Sequence, residues 1–273
     1  IMKLMSFTKN GITGFGAING DSVMDFSHKF KDLKTMLASG STLKEGNLIP
    51  LVEVNYLPVI PNPEKIICVG VNYASHIAEM GREPGEFPLL FTRFANSQVG
   101  HNEPMLVPKE SEKFDYEGEL ALIIGKSGKR ISENNAMNYI AGYSCYNDGS
   151  VRDWQRHTSQ FTAGKNFTGT GGFGPWMVSS DEINDPSELQ IETRLNGTVM
   201  QSAPISDLVF NVPKLIAYIS TFTELEPGDV IITGTTGGVG AARNPPVWMK
   251  AGDTVEVEIS NIGTLVNPIH NAN

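Results

Sequence analysis

A β-rich α+β fold is predicted for this 273-residue chain by two features of its pattern. Short apolar runs alternate with glycine-rich turns along most of its length, and the strand–helix rhythm of a doubly wound sheet is missing. In chain order, residues 6–28 hold short β-like runs broken by Asn10-Gly11, Gly14, Gly16 and Asn19-Gly20-Asp21, which predicts a small hairpin-rich unit. Phe30, Leu33, Met36 and Leu37 give residues 30–46 helical spacing. Pro58, Pro61 and Pro63 then remove donors and fix φ, so 57–64 reads as a link between a small N-terminal domain, 1–57, and the main domain, 58–273. Lys65–Val71 and Glu117–Gly125 are expected as buried strands, with a short helix at Ser75–Met80 stopped by Gly81. Asn134–Ala141 reads as a helix leading into the strand Gly142–Tyr146. Asn196-Gly197 marks a hairpin between Gln190–Leu195 and Thr198–Ser202. Val212–Thr221 is a helix opened by Pro213, and Asp229–Thr233 and Thr254–Ile259 are strands, the latter with charges alternating at period two.

Composition narrows the class of function. With 21 Lys+Arg against 30 Asp+Glu the net charge is −9, which argues against nucleic acid as a partner, since phosphate binding needs a dense basic surface. The longest apolar runs fall far short of the ~20 residues of a membrane span, and the first residues lack the apolar core of a secretory signal. Cys68 and Cys145 are too few for a disulfide framework and lie in apolar stretches, as buried thiols of a reducing compartment would. A cytoplasmic protein is the resulting expectation.

Four constellations carry chemistry. Glu117 and Glu119 project from the same face of a strand, where two like charges need something positive between them, and Asp148 at the end of another strand adds a third carboxylate. Hard dications such as Mg²⁺ or Mn²⁺ favour such oxygen ligands. His76 and Glu79, at i and i+3 of a helix, form a base and the group that orients it. The loop 232–240 is rich in glycine but lacks the lysine of a phosphate-binding loop, and its backbone N–H groups could cradle a small oxyanion. Gly164–Phe167 and Gly171–Trp176 are too glycine-rich for the core of a strand and suit a backbone lying close to a ligand. His28, His101, His157 and His270 lack such pairing and read as surface residues.

In order, the segments 67–79, 115–121, 142–155, 164–167, 174–176, 233–240 and 252–255 resemble the fumarylacetoacetate hydrolase superfamily. The resemblance implies a mixed β-sandwich or roll with peripheral helices, a homodimer, and Mg²⁺ or Mn²⁺ on Glu117, Glu119 and Asp148. It further implies catalysis by His76, Glu79 and Lys165, with Arg152, Gln155, Lys165, Gly234 and Thr235 binding a small 2-oxo or diketo acid. The reaction expected first is hydrolysis of a C–C bond in a 2,4-dioxo acid, with His76 activating water. Decarboxylation, tautomerisation or isomerisation of a 2-oxo acid at the same site is the alternative, and a non-catalytic ligand-binding module the minor one. Thr236, Arg93 and Val266 depart from the residues common in the family (Pro, Lys and Arg respectively), and residues 157–163 vary in length among its members, which places substrate selection there.

Overall fold

A computed structural model describes residues 2–81 and 83–273. Its main sheet runs, in spatial order, through the strands Asn47–Pro50, Ser22–Asp25, Ile12–Asn19, Lys3–Lys9, Gly171–Ser179, Ile140–Asp148, Gly118–Ile124, Val230–Thr235, Ile66–Gly70 and Leu89–Thr92. A second sheet orders the strands Thr198–Pro204, Gln190–Leu195, Thr254–Ile259, Gly263–Asn271 and Met105–Val107. The architecture is the mixed, strand-rich sandwich with peripheral helices that the sequence predicts.

The central strand Gly118–Ile124 shows why two layers must cover the sheet. Leu120, Leu122 and Ile124 point into one core, with Ile191, Val257 and Leu265 of the second sheet and Leu215, Ile216 and Ile219 of the helix Val212–Phe222. Ala121 and Ile123 point into the other, with Leu4, Phe15, Phe26 and the helix residues Leu33 and Met36. A continuous apolar run of this kind is stable only when buried on both faces. The sheet is also continuous across the proline-rich link, because Lys3 and Leu4 pair with Val178 and Met177.

Several elements differ from their predicted form. The N-terminal helix is confined to Leu33–Ser39: Asp32 caps it by accepting from the Thr35 N–H at 2.7 Å, and Gly40 ends it in the left-handed region at φ 65°. The helix predicted before Gly142 is a 3₁₀ segment, Glu133–Tyr139. The largest correction is Gly171–Ser179, a buried nine-residue strand in the middle of the main sheet. Its glycines are there for lack of room: a Cβ on Gly171 would lie 2.7 Å from the Tyr146 hydroxyl, and one on Gly172 2.5 Å from Asn267 Oδ1. Cys68 and Cys145 are free and buried. His28, His157 and His270 are exposed, whereas His101 is partly buried, edge-on to Tyr56 and accepting the Val266 N–H at 3.1 Å. None of the described helices is long and apolar enough to cross a membrane.

Candidate active site

The strand Ile66–Gly70 leaves the sheet at Val71, whose φ of 56° is strained for a β-branched residue. The chain then enters the six-residue helix Ala74–Glu79, too short to hold itself in water. Asn72 anchors its start. The Asn72 amide donates to Phe210 O at 3.0 Å and Thr233 O at 2.8 Å, and its Oδ1 accepts the Phe210 N–H at 2.8 Å. His76 is buried on this helix, with Nδ1 3.1 Å from Glu79 Oε2, and the other Glu79 oxygen accepts the Gly238 N–H at 3.0 Å. The predicted base and its orienting carboxylate are therefore together.

Opposite, the strand register brings the three acids into one group. Glu117 and Glu119 flank Gly118, Gly118 lies across from Asn147, and the Asp148 N–H donates to Glu117 O at 2.8 Å. One oxygen from each of Glu117, Glu119 and Asp148 lies within 4.8 Å of the others. Lys165, from the helix Thr162–Lys165, places its ammonium 2.6 Å from both Glu117 Oε2 and Asp148 Oδ2 and donates to Asp148 O at 3.3 Å. Arg93 is 2.6 Å from Asp148 Oδ1, and Arg152 Nη1 is 2.7 Å from Glu117 Oε1. Lys165 thus has all three hydrogens on the protein's own oxygens.

The balance of charge identifies the odd member. Among the described residues around this centre, the buried carboxylates of Asp115, Glu117, Glu119 and Asp148 meet the buried cations of Arg93, Arg152 and Lys165, one fewer in number. Burial alone would raise the Glu117 carboxyl, and Lys165 and Arg152 override it and hold it at about 2. Among the described residues, Glu119 has a hydrogen bond only from the Gly234 N–H, at 2.6 Å, and burial together with the charges of Asp148 and Glu117 pushes it well above the usual carboxylate range. A buried charge left without a partner is costly. An oxygen-seeking dication beside Glu117, Glu119 and Asp148 would fit this donor set and would supply the missing positive charge.

The glycine-rich loop differs from its predicted role. Its N–H groups cradle oxyanions, but those of the protein itself: Gly234 on Glu119, Gly238 on Glu79, and Gly240 and Ala241 on Asp115 at 2.8 and 2.9 Å. Gly234 is required for this, since at φ 110° a Cβ would also lie 2.8 Å from Asn72 Cβ. Thr235 donates to Gly118 O at 3.0 Å and accepts from Gln201 Nε2 at 2.8 Å.

One cavity of about 420 Å³ joins these parts, lined by His76, Glu79, Glu117, Glu119, Arg152, Gln155, Lys165 and Thr235. Asp148 and Gly234 are not part of its lining and act on it through Lys165 and Glu119. Sequence reasoning missed Arg93, Asp115 and Gln201 as parts of the site. Asp115 continues the i, i+2 series of Glu117 and Glu119, a signal present in the sequence, whereas Gln201 reaches in from the second sheet and has none.

Residues 65–270 match the family model described as fumarylacetoacetate (FAA) hydrolase C-terminal. The chain belongs to this family. It is 44% identical over 218 residues to oxaloacetate tautomerase fahd2, mitochondrial, of Xenopus laevis, covering 79% of this chain and 68% of that protein. Among solved structures, the fumarylacetoacetate hydrolase EaFAH from psychrophilic Exiguobacterium antarcticum aligns with a TM-score of 0.90 at 34% identity over 100% of both chains. The 2-hydroxyhepta-2,4-diene-1,7-dioate isomerase of Mycobacterium marinum aligns at 0.84 and 31% identity, again over 100% of both. With such relatives this fumarylacetoacetate hydrolase family chain is an enzyme. The cytoplasmic expectation is corrected, because the Xenopus relative is named a mitochondrial protein. Two reduced thiols separate an oxidising compartment from a reducing one, but not one reducing compartment from another.

Proposed function

We propose that the chain interconverts the keto and enol forms of a small 2-oxo acid of the oxaloacetate type. This places tautomerisation ahead of the C–C hydrolysis expected first. The observation that carries it is the single cavity in which an oriented imidazole faces a buried, cation-seeking carboxylate cluster. Names of relatives support the order: a tautomerase at 44% identity and an isomerase among the matching structures.

The chemistry closes on His76. Neutral imidazole removes a proton from C3, the electron pair moves through C2 to the 2-oxo oxygen, and the imidazolium returns the proton to that oxygen. Glu79 stabilises the imidazolium between the two transfers and fixes the ring. Arg152 and Gln155 hold the acid on the cavity wall. A divalent ion, Mg²⁺ or Mn²⁺, held by Glu117, Glu119 and Asp148 would supply Lewis-acid stabilisation of the enolate, worth several kcal/mol. Lys165 holds Glu117 and Asp148 in place, and Arg93 holds Asp148 from its other oxygen.

Absorbance of the oxaloacetate enol, followed with Mg²⁺ and with EDTA, tests the proposal beside an acylpyruvate hydrolysis assay. Tautomerisation above the enzyme-free rate, reduced roughly 10²–10⁴-fold in His76→Ala, is expected. Fast acylpyruvate cleavage with no acceleration of tautomerisation would restore the hydrolase reading. Mg²⁺ should also raise the melting temperature of the wild type but not of Glu119→Gln.

A further inference from the structure

The short helix Arg152–Gln155 and its cap residue Arg156 present three donor side chains to the cavity: Arg152, Gln155 and Arg156. Their states differ. Arg152 donates through Nε to Asp115 Oδ2 at 2.8 Å and through Nη1 to Gln155 Oε1 at 3.0 Å, besides its contact with Glu117. Its Nη2 is buried and has no hydrogen-bond partner. Gln155 uses its oxygen on Arg152, which turns its amide nitrogen to the other side of the group. Arg156 is exposed, and its guanidinium makes no hydrogen bond or ion pair with any described residue.

A buried guanidinium nitrogen without an acceptor is unfavourable and calls for an oxygen from a ligand. Arg152 and Arg156 stand at i and i+4, and the backbone at Arg156 has turned only to φ −99° and ψ 4°. Side chains at that spacing leave a helix roughly 5–6 Å apart at Cβ, a separation that a four-carbon dicarboxylate can bridge. Among the described residues of the lining, the other cations, Lys165 and Arg152, already face carboxylates of the chain, and Arg156 is the cation whose charge is available to a ligand. Phe91, Phe161 and Val239 on the same lining are apolar and offer a second carboxylate no partner.

We propose that Arg156 is a specificity-determining residue that binds the distal carboxylate of a dicarboxylic 2-oxo acid, while Arg152 Nη2 and Gln155 take oxygens at the reacting end. This deepens the enolising reading and rests on it.

Solvent-deuterium incorporation at C3, followed by proton NMR on the Mg²⁺-loaded enzyme, compares oxaloacetate with its monocarboxylic counterpart 2-oxobutanoate. The wild type should favour oxaloacetate, and Arg156→Ala should raise its KM roughly tenfold with kcat nearly unchanged and 2-oxobutanoate unaffected. Arg156→Lys should recover part of the loss. An unchanged preference in Arg156→Ala, or equal losses on both substrates, would overturn the assignment. If the wild type exchanges neither substrate, the enolising reading fails separately. Calorimetric binding of malate against 2-hydroxybutanoate then decides the role of Arg156: a preference for malate that closes in Arg156→Ala supports it, and no preference overturns it.

Discussion

Two clusters of the same charged groups occupy opposite settings in this molecule. On the outer face of the second sheet, Arg194 reaches Glu192 at 2.6 Å, Glu256 at 3.1 Å and Glu258 at 2.7 Å, all four side chains in contact with water. In the active site, Glu117, Glu119, Asp148, Lys165, Arg93 and Arg152 make contacts equally short with almost no exposure. One arginine serves three glutamates outside, because water screens the excess negative charge. Inside, burial together with an excess of one negative charge pushes Glu119 well above its usual range. Balance of charge is optional at the surface and decisive in the interior, where the imbalance is what makes a bound cation favourable in the proposed reading.

The comparison can be broken at its strongest point first. Arg93→Met removes a fully buried cation that holds Asp148, Gly149 O and Thr170, and should cost about 3–5 kcal/mol in urea unfolding. The double variant with Asp148→Asn should lose less than the single change, since the two charges belong to one unit. A single variant as stable as the wild type would refute the importance given to the pair.

His101 sharpens the contrast from a third setting, burial with no counter-charge. Desolvation drops its imidazole from 6.5 to about 4. Folded protein therefore binds this proton less readily than unfolded chain, so the stabilisation is complete above pH 6.5 and is lost as pH falls through 4. Up to about 3 kcal/mol should disappear over that window, and His101→Gln should flatten this part of the pH–stability curve. The smallest effect belongs to the surface cluster: Arg194→Ala should change unfolding free energy by at most about 1 kcal/mol, and by less at high salt.

The sequence made the acids and the base readable because each pair is local. Glu117 and Glu119 are two apart on a strand, and His76 and Glu79 three apart on a helix, so a periodicity argument reaches both. What it could not reach depends on neighbours distant in the chain. Arg93 stood out only as a departure from the family pattern, and its partner Asp148 is 55 residues away. The strand Gly171–Ser179 was misread for a related reason: its glycines report what packs against them, Tyr146 and Asn267, not where a ligand sits. The role of the glycine-rich loop failed in the same way, since an N–H group fit to bind an anion does not say whose anion it binds. Most other strand expectations held to within a residue or two, because buried runs such as Leu120–Ile124 announce themselves whatever surrounds them.

The loop that ties Gly234 to Glu119, Gly238 to Glu79, and Gly240 and Ala241 to Asp115 has a consequence for how this enzyme can diversify. An insertion or deletion there would unseat the His76–Glu79 pair and the acidic cluster in one event, which few lineages or engineers could repair stepwise. Among the described residues, those of the rim at 156–161 make no hydrogen bond to either. New substrate preferences should therefore arise by remodelling that rim, while the loop across the cavity keeps its length.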